Sequence, residues 1–289
     1  MYRIKFGPAG NDESFYEQGY KTTLQMPGWL EKMELNAYEY QCGRGVNVSE
    51  NTAKALGEKA KEHNISLSLH SPYFISLSSI EEEKRLNSIN YILQSARAAN
   101  DMGATRIVVH SGSCAKISRE QALELAKDTL KRALEALDEQ GYSHITLCPE
   151  TMGKINQLGT LEEVLELCSI DERLIPAIDF GHLNARTMGT LKTANDFEKI
   201  LEITENKIGY DRMKIFHSHF SKIEYTDGGE KKHLTFEDTK FGPDFEPLAE
   251  IICKKNLTPT IICESAGTMA IDAKKMLDIY MKRRNSYEL

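Results

Sequence analysis

The segment IPAIDFGHLNAR, residues 175–186, ends an apolar run with Asp179 and then His182, side chain types that metals and general bases favour. Similar groups follow other apolar runs of the chain. They are His70, His110, Glu150, His217, His219 and Glu264. Imidazole and carboxylate ligands without thiolate suit zinc, manganese or iron(II), and zinc is favoured where histidine dominates. The chemistry these residues indicate is therefore that of a metal centre.

Eight short apolar runs must position these side chains, and stretches of helical length separate most of them. Alternating strands and helices predict parallel strands joined by right-handed crossovers. Eight such units favour an α/β fold of the closed (β/α)8 TIM barrel type, as a single domain over residues 1–289. An open doubly wound sheet is the other possibility, although no glycine-rich dinucleotide fingerprint follows the first run. The predicted strands are 2–7, 36–41, 65–70, 105–110, 144–150, 175–181, 213–219 and 259–265.

Two of the intervening stretches carry signals of helix boundaries. Residues 49–64 begin with a serine, a good N-cap residue. Residues 118–141 begin with a serine that has a glutamine three places on, the spacing of a capping box, and end with a glycine typical of the C′ position. The polar interval 221–244 is predicted to be a long loop, and loops of that length are usually functional or disordered.

In a β/α barrel the active site lies at the carboxyl ends of the strands, so these side chains are expected to share one rim. A single histidine after a strand is more often a hydrogen-bonded rim residue than a ligand. Here six of the eight histidines stand at or beside strand ends with three carboxylates, and only His63 and His144 do not. Such a cluster would be left partly desolvated unless cations neutralised it. We therefore predict more ligands than one tetrahedral ion uses.

Composition sets weaker limits. The 289 residues are 40% hydrophobic and 27% charged, as in ordinary globular proteins. The net charge of -7 argues mildly against a protein that coats nucleic acid by bulk electrostatics, but bound metal ions can still reach phosphate. No apolar stretch suits a bilayer span, and the start does not look like a secretory signal. Six cysteines without CxxC spacing indicate reduced thiols. We expect a cytoplasmic protein with no membrane partner.

Seven motifs, in order, resemble those of the endonuclease IV family of apurinic/apyrimidinic endonucleases, within the xylose isomerase-like superfamily. They are LHSPYFISL, VVHSGS, CPETMGKINQLGTLEEV, AIDFGHLNAR, FHSHFSK, KKHL and IICES. The chain looks more like a divergent archaeal-type branch than the standard bacterial enzyme. The resemblance implies a zinc-dependent phosphodiesterase that cleaves DNA 5′ to an abasic site and leaves a 3′-hydroxyl, in base excision repair. Its partner would be damaged double-stranded DNA, and we expect a monomer.

The resemblance also implies a ligand set for two or three zinc ions, with manganese as the alternative metal. His70, His110 and Glu150 would hold the first ion. Glu150 would bridge to a second ion, completed by Asp179, His217 and Glu264. The catalytic carboxylates would be Glu150 and Glu264.

A third ion would use His182 and His233. The family has an aspartate two places before the second of these histidines, where this chain has Lys231. Glu230 or His219 is expected to complete that site instead.

Two further residues are implied as substrate contacts. Tyr73 matches a tyrosine that contacts DNA near the abasic site. Arg44, in QCGRGVN, is the candidate from a loosely matched arginine-bearing loop. GPAG replaces the histidine and serine that follow the first strand in the familiar bacterial enzymes, a departure that concerns the substrate more than the metals.

Two other functions fit the same rim. A metal-dependent sugar isomerase or epimerase of the wider superfamily needs one or two ions and a lysine or glutamate base, and Lys154 stands close to Glu150 in the sequence. A barrel that binds metal and a nucleic acid or protein partner without turnover is the third possibility.

Overall fold

The computed structural model describes residues 4–287, in which strands and helices alternate. The first seven barrel strands are β1 (Lys5–Pro8), β2 (Ala37–Gln41), β3 (Ser66–His70), β4 (Arg106–Val109), β5 (Thr146–Pro149), β6 (Ala177–Asp179) and β7 (His217–Phe220). A hairpin of β8 (Ile223–Thr226) and β9 (Gly229–His233) precedes the eighth barrel strand, β10 (Thr260–Cys263). The start of the predicted strand 2–7 lies outside the described residues.

Helices cover the outside of the strands. They are α1 (Glu13–Glu17), α2 (Met26–Lys32), α3 (Glu50–Glu62), α4 (Glu82–Met102), α5 (Arg119–Glu139), α6 (Leu161–Cys168), α7 (Phe180–Arg186), α8 (Ala194–Ile208), α9 (Tyr210–Lys214), α10 (Glu246–Lys254) and α11 (Met269–Tyr287). A 3-10 turn, Thr23–Gln25, precedes α2. Within residues 4–287, no helix has both the length and the apolar character that crossing a membrane requires.

Two four-stranded parallel sheets, β1-β10-β7-β6 and β2-β3-β4-β5, form the barrel wall. Single parallel bridges join them, from Ala9 to Glu39 on one side and from Glu150 to Ala177 on the other. Gly7 lets β1 and β2 approach closely beside the first of these bridges, because a Cβ there would lie 1.8 Å from the carbonyl oxygen of Ala37. The first strand pairs with the eighth, so the predicted closed barrel is confirmed and the open sheet is excluded.

The predicted boundaries of two helices are found in the structure. The side chain of Ser49 accepts a hydrogen bond from the amide of Thr52 at the start of α3. Ser118 and Gln121 form both hydrogen bonds of a capping box at the start of α5. Gly141, just past the end of α5, has a φ of 79°, a left-handed conformation that glycine adopts without strain.

Successive residues of a strand point to opposite faces, so every second side chain points outward. These outward side chains pack against the helices and form the apolar core. Phe6 of β1 packs against Phe245 and Tyr280, with ring centroids 6.1 and 5.7 Å away. On β2, buried Tyr38 is followed by Glu39, whose carboxylate faces the histidines of β7 across the barrel. The barrel interior below the rim is therefore partly polar.

Two predicted strands differ most from the observed ones in their bounds. Only three residues of the run 175–181 form β6. The strand ends at Asp179 because this residue also caps α7 by accepting the amide of His182. The run 213–219 begins in α9, so β7 starts at His217 and continues to Phe220. His217 is therefore the first residue of its strand and not part of the strand end.

The interval 221–244 is not wholly loop as predicted, because its first part is the β8–β9 hairpin. A register irregularity lies between Glu224 and Tyr225. The hairpin packs tightly on the loop after β5, since a Cβ on Gly229 would lie 2.2 Å from the carbonyl oxygen of Gly153. The sequence signal for this hairpin was the turn motif DGG, residues 227–229, which joins the two strands.

Candidate metal centre

The carboxyl ends of six barrel strands bring titratable side chains to one rim. They are His70 at the end of β3, His110 after β4, Glu150 after β5, Asp179 at the end of β6, His219 in β7 and Glu264 after β10. Glu150 and Asp179 are almost completely buried, and Glu264 is 16% exposed. This is the arrangement expected of a barrel active site.

Glu150 is at the centre of the first group. Its Oε2 lies 3.3 Å from His70 Nε2 and 3.1 Å from His110 Nε2, and its Oε1 lies 2.9 Å from His219 Nδ1. Burial raises the pKa of the Glu150 carboxyl, but the surrounding imidazoles outweigh burial and hold the pKa well below its usual range. Glu150 is therefore an anion between two sets of possible ligands, the position that a bridging carboxylate needs.

Backbone carbonyls orient three of the imidazoles. The Nδ1 atoms of His70, His110 and His182 lie 2.8, 3.1 and 2.9 Å from the carbonyl oxygens of Ser71, Tyr73 and Thr151. A carbonyl only accepts hydrogen bonds, so each Nδ1 carries the hydrogen and Nε2 is left to face the carboxylates. Metal-binding histidines are commonly fixed in this way by a second hydrogen bond.

The second group consists of Asp179, His219, Glu264 and the shared Glu150, whose ligand atoms lie within 4.8 Å of one another. Asp179 Oδ1 accepts the amide of His182 at 2.7 Å, whereas its buried Oδ2 makes no hydrogen bond and lies 3.2 Å from His182 Nδ1. Burial raises the pKa of Asp179 to about 6; His182 opposes this rise, and Glu264 and Glu150 add to it. A buried carboxylate oxygen that makes no hydrogen bond, beside two other carboxylates, fits a cation, so the residues present suit a metal ion here.

The third group lies where the hairpin meets α7. Glu230 Oε2 is 3.4 Å from His182 Nε2, and Glu230 Oε1 is 3.9 Å from His233 Nε2. Lys231 points elsewhere and pairs with Glu224 at 2.6 Å. Of the two residues considered for completing this site, the geometry brings Glu230 to the two histidines. His219 lies with the second group instead.

The structure does not bring His217 to the second group, in which the resemblance places it, but to Glu39. His217 is fully buried, with Nε2 2.9 Å from Glu39 Oε2. His217 and His219 both point into the barrel, because residues two apart on a strand share a face. His217, at the start of β7, is deeper in the barrel, and His219 is the residue that reaches Glu150 and Glu264.

A cavity of about 300 Å³ opens above the three groups. Its lining includes Tyr73 and Lys154 together with the ligand candidates His70, His110, His182 and His233. Tyr73 is 53% exposed at the mouth. Arg44 is exposed but does not line the cavity; the adjacent Gly43 accepts the amide of Tyr73 at 3.2 Å. The two predicted substrate contacts therefore lie on neighbouring loops, with only Tyr73 directly on the cavity.

The sequence reasoning missed Glu39 and the arginines that hold the loop after β5. Glu39 lies inside a strand and not at its end, and the one available signal was a charged residue within the apolar run AYEYQ. Arg186 donates to the carbonyl oxygens of Met152 and Gln157 at 2.9 and 2.7 Å, and Arg119 pairs with Glu163. These contacts fix the loop that carries Lys154 beside the cavity.

Comparison with known proteins identifies the family. Over residues 28–280 the sequence matches the family of xylose isomerase-like TIM barrels. The chain belongs to this family. It is 36% identical over 251 residues to an uncharacterized protein of Methanocaldococcus jannaschii, with 87% of this chain and 89% of that protein covered.

Other relatives match over a shorter length. The chain is 28% identical over 173 residues to the probable endonuclease 4 of Mycoplasma pneumoniae, with 56% of each chain covered. It is 27% identical over 193 residues to the probable endonuclease 4 of Methanosphaera stadtmanae, with 65% of this chain and 66% of that protein covered. The matches thus cover 56% and 66% of the length of these two relatives. They confirm the resemblance to endonuclease IV that the motifs predicted.

Solved structures of the xylose isomerase-like type share the fold. A D-tagatose 3-epimerase-like protein superposes with a TM-score of 0.73 at 22% identity, covering 99% of this chain and 100% of the other. Endonuclease IV from Thermus thermophilus gives a TM-score of 0.64 at 19% identity, covering 99% of both chains. The same fold thus occurs in a protein named as an endonuclease and in one named as epimerase-like, so the fold does not choose between these reactions.

Proposed function

We propose that the protein is a metal-dependent phosphodiesterase that cleaves DNA 5′ to abasic sites and leaves a 3′-hydroxyl, as a step of base excision repair. The observation that carries the proposal is the presence of three ligand groups at one cavity. Isomerisation of a sugar needs one or two ions and has no use for the third group, His182, Glu230 and His233. A cluster of ions suits displacement at phosphorus, where charge develops on several oxygens.

In this proposal, each ligand group holds one zinc ion, with manganese as the alternative. His70, His110 and Glu150 would hold the first ion; Glu150, Asp179, His219 and Glu264 the second; and His182, Glu230 and His233 the third. Bound zinc ions would make a nucleophile available from water at neutral pH and neutralise the charge of a phosphate. Because imidazole and carboxylate ligands predominate and no cysteine belongs to any of the groups, this donor set suits zinc or manganese.

The protein's own side chains contribute position and charge. Glu150 holds the first two groups together, since its two oxygens face different imidazoles. Glu264 lines the cavity and lies 3.6 Å from His219, so it can reach both the second ion and a bound phosphate ester. We assign the catalytic role to these two carboxylates.

Selectivity for an abasic site would come from the lower cost of flipping out a nucleotide without a base and from Tyr73 at the mouth of the cavity. An abasic nucleotide leaves the duplex at lower cost than a paired one, because it has no base to unstack. A cavity of about 300 Å³ has room for a flipped-out sugar and phosphate. The exposed ring of Tyr73 can stack on a base or sugar beside the lesion, and Arg44 on the adjacent loop can meet a phosphate.

The sugar isomerase or epimerase remains the second candidate, and Lys154 is the observation that favours it. Lys154 lines the same cavity as Glu150 and His182, where an amine could serve as a base. The fold likeness to a D-tagatose 3-epimerase-like protein is compatible with this chemistry. This function would require neither Tyr73 nor the third ligand group.

Incision of a labelled duplex with one tetrahydrofuran abasic analogue tests the proposal. Zinc-loaded wild-type protein should cut on the 5′ side and leave a 3′-hydroxyl, and Glu150→Gln should lose this activity by several orders of magnitude. His144→Gln, an exposed change at the opposite end of β5, is the matched control and should cut normally. An intact duplex after incubation with fully metallated wild-type protein would refute the proposal. Aldose–ketose interconversion that depends on Lys154 would then establish the alternative.

A further inference from the structure

Glu39 is a buried carboxylate below the rim, and four side chains donate hydrogen bonds to it. Oε1 lies 2.8 Å from His219 Nε2 and 3.1 Å from Gln41 Nε2. Oε2 lies 2.9 Å from His217 Nε2 and 2.8 Å from Ser68 Oγ. A carboxylate offers about four lone-pair sites, so Glu39 is saturated as an anion. Apolar side chains often fill such an interior at no loss of stability, so packing alone does not require this group.

Both ring nitrogens of His219 face carboxylates, and Glu39 holds the nitrogen that points away from the rim. An ionised carboxylate only accepts hydrogen bonds, so His219 Nε2 must carry the hydrogen that points to Glu39. The other nitrogen, Nδ1, faces Glu150 at 2.9 Å and Glu264 at 3.6 Å. His70, His110 and His182 have the opposite orientation, with Nδ1 on a backbone carbonyl. His219 thus differs from them both in its ligating atom and in the group that orients it.

We infer that Glu39 is a positioning residue, which fixes His219 so that this histidine binds the second metal ion through Nδ1. Ser68 and His217 in turn hold Glu39 in place. This role accounts for His217, which is fully buried and lies too deep to join the second group. The inference rests on the metal-binding part of the proposed function and not on the reaction.

The cluster of Glu39, His217 and His219 is less suited to holding an ion of its own. Gln41 and Ser68 already occupy the oxygen positions that an ion would need. No residue of this cluster lines the cavity at the rim, whereas Glu150 and Glu264 of the second group do. The orienting role is therefore the one that the contacts support.

Glu39→Gln tests the inference with a side chain of the same shape. The amide has one acceptor oxygen where the carboxylate has two. It therefore cannot accept hydrogen bonds from Nε2 of both His217 and His219. Losing such a partner typically weakens metal affinity about 10- to 100-fold. Competition with a chromophoric chelator should show this loss for one zinc ion, with the ion of His182, Glu230 and His233 unchanged. Equal affinities in the variant and the wild type for every ion would overturn the inference.

Asp12→Asn is the matched control. Asp12 is also fully buried and accepts the backbone amide of Ala270 at 2.6 Å, but it belongs to none of the ligand groups. Its change should lower thermal stability and leave every zinc affinity as in the wild type. A loss of zinc affinity in this control equal to that of Glu39→Gln would mean that general destabilisation explains the effect, and would overturn the inference.

Nitrogen NMR of zinc-loaded wild-type protein with 15N-labelled histidine gives a test that does not depend on the folding of a variant. We expect His219 to show a protonated Nε2 and a metal-bound Nδ1, with its signals absent in His219→Gln. Metal bound at Nε2, or no ion at His219, would overturn the inference. Neither readout involves DNA, so failure of the incision assay with normal metal binding would refute the proposed reaction alone.

Discussion

Glu230 and His182 face each other across the rim, with Glu230 Oε2 3.4 Å from His182 Nε2. One residue comes from the hairpin after β7 and the other from the helix after β6. Their meeting depends on the close packing of the hairpin against the loop after β5, where the amide of Glu230 donates to the carbonyl of Gly153 at 3.1 Å. The third ligand group is thus assembled by contacts between connecting segments and not by the barrel strands alone.

Removal of the Glu230 carboxylate should therefore remove one metal ion. We expect Glu230→Gln to retain one zinc equivalent fewer than the wild type after dialysis, because the two remaining histidines bind too weakly. Atomic emission on the dialysed protein measures this. Lys231→Ala is the control, since Lys231 pairs with Glu224 on the outside of the hairpin. Equal zinc content in Glu230→Gln and the wild type would show that Glu230 is not a ligand.

The two histidines of β7 should respond differently to substitution. His219→Gln should abolish binding of the second ion, because it removes the nitrogen that faces Glu150 and Glu264. His217→Gln should still bind that ion, although more weakly, and should lower the free energy of unfolding by about 1–3 kcal/mol through loss of a buried hydrogen bond. Zinc titration and urea denaturation measure the two effects. Complete loss of the ion in His217→Gln, with His219→Gln unaffected, would restore the assignment made from the motif.

Metal binding should weaken as the pH falls. Burial lowers the pKa of His70, but Glu150 and Glu39 outweigh burial and raise it to about 9 in the metal-free protein. His182 is likewise buried and has its pKa raised to about 9, chiefly by Asp179 and Glu230. Both imidazoles are therefore protonated below about pH 9, and an ion must displace these protons. Each displaced proton makes the affinity fall about tenfold per pH unit below that value. Zinc competition at several pH values checks this, and an affinity independent of pH would contradict it.

Gly229 should be intolerant of a side chain. Its φ is 87°, and a Cβ would lie 2.2 Å from the carbonyl oxygen of Gly153. We expect Gly229→Ala to displace the hairpin, lower stability by about 1–3 kcal/mol and weaken the third metal ion. The neighbouring Gly228→Ala is the matched control, because the nearest atom to its Cβ is Thr226 Oγ1 at 3.7 Å. Calorimetry and zinc content measure both variants, and wild-type behaviour of Gly229→Ala would contradict the packing described here.

The ion pair of Arg119 and Glu163 should make stability sensitive to acid. Burial raises the pKa of Glu163, but Arg119 and the amides of Gly159 and Thr160 outweigh burial and lower it. A lowered pKa in the folded state gives stability that is complete above the ordinary value and is lost as the pH falls through the folded value. Glu163→Gln should be less stable than the wild type at pH 7 by about 1–3 kcal/mol, with the difference shrinking below about pH 4. Urea denaturation at both pH values measures it, and a constant difference would contradict this account.

Local sequence patterns were enough to predict the barrel strands and most of the rim. The period of the apolar runs predicted all eight barrel strands, and five ligand candidates at strand ends, His70, His110, Glu150, Asp179 and Glu264, lie together as expected. This was possible because strand and helix periodicity are local properties, and because parallel strands in a closed barrel place all their carboxyl ends at one edge.

Residues that the local pattern treats alike are distinguished by the packing of distant segments. His217 and His219 point to the same side of β7, and their difference in depth follows from where the strand begins in the closed barrel. Glu230 reaches the rim in place of Lys231 because the hairpin has an irregular register and packs on another loop. The role of Glu39 depends on contacts with residues nearly 180 positions away, at 2.9 and 2.8 Å. Side-chain alternation fixes a face, whereas depth and cross-barrel partners depend on how distant strands pack together.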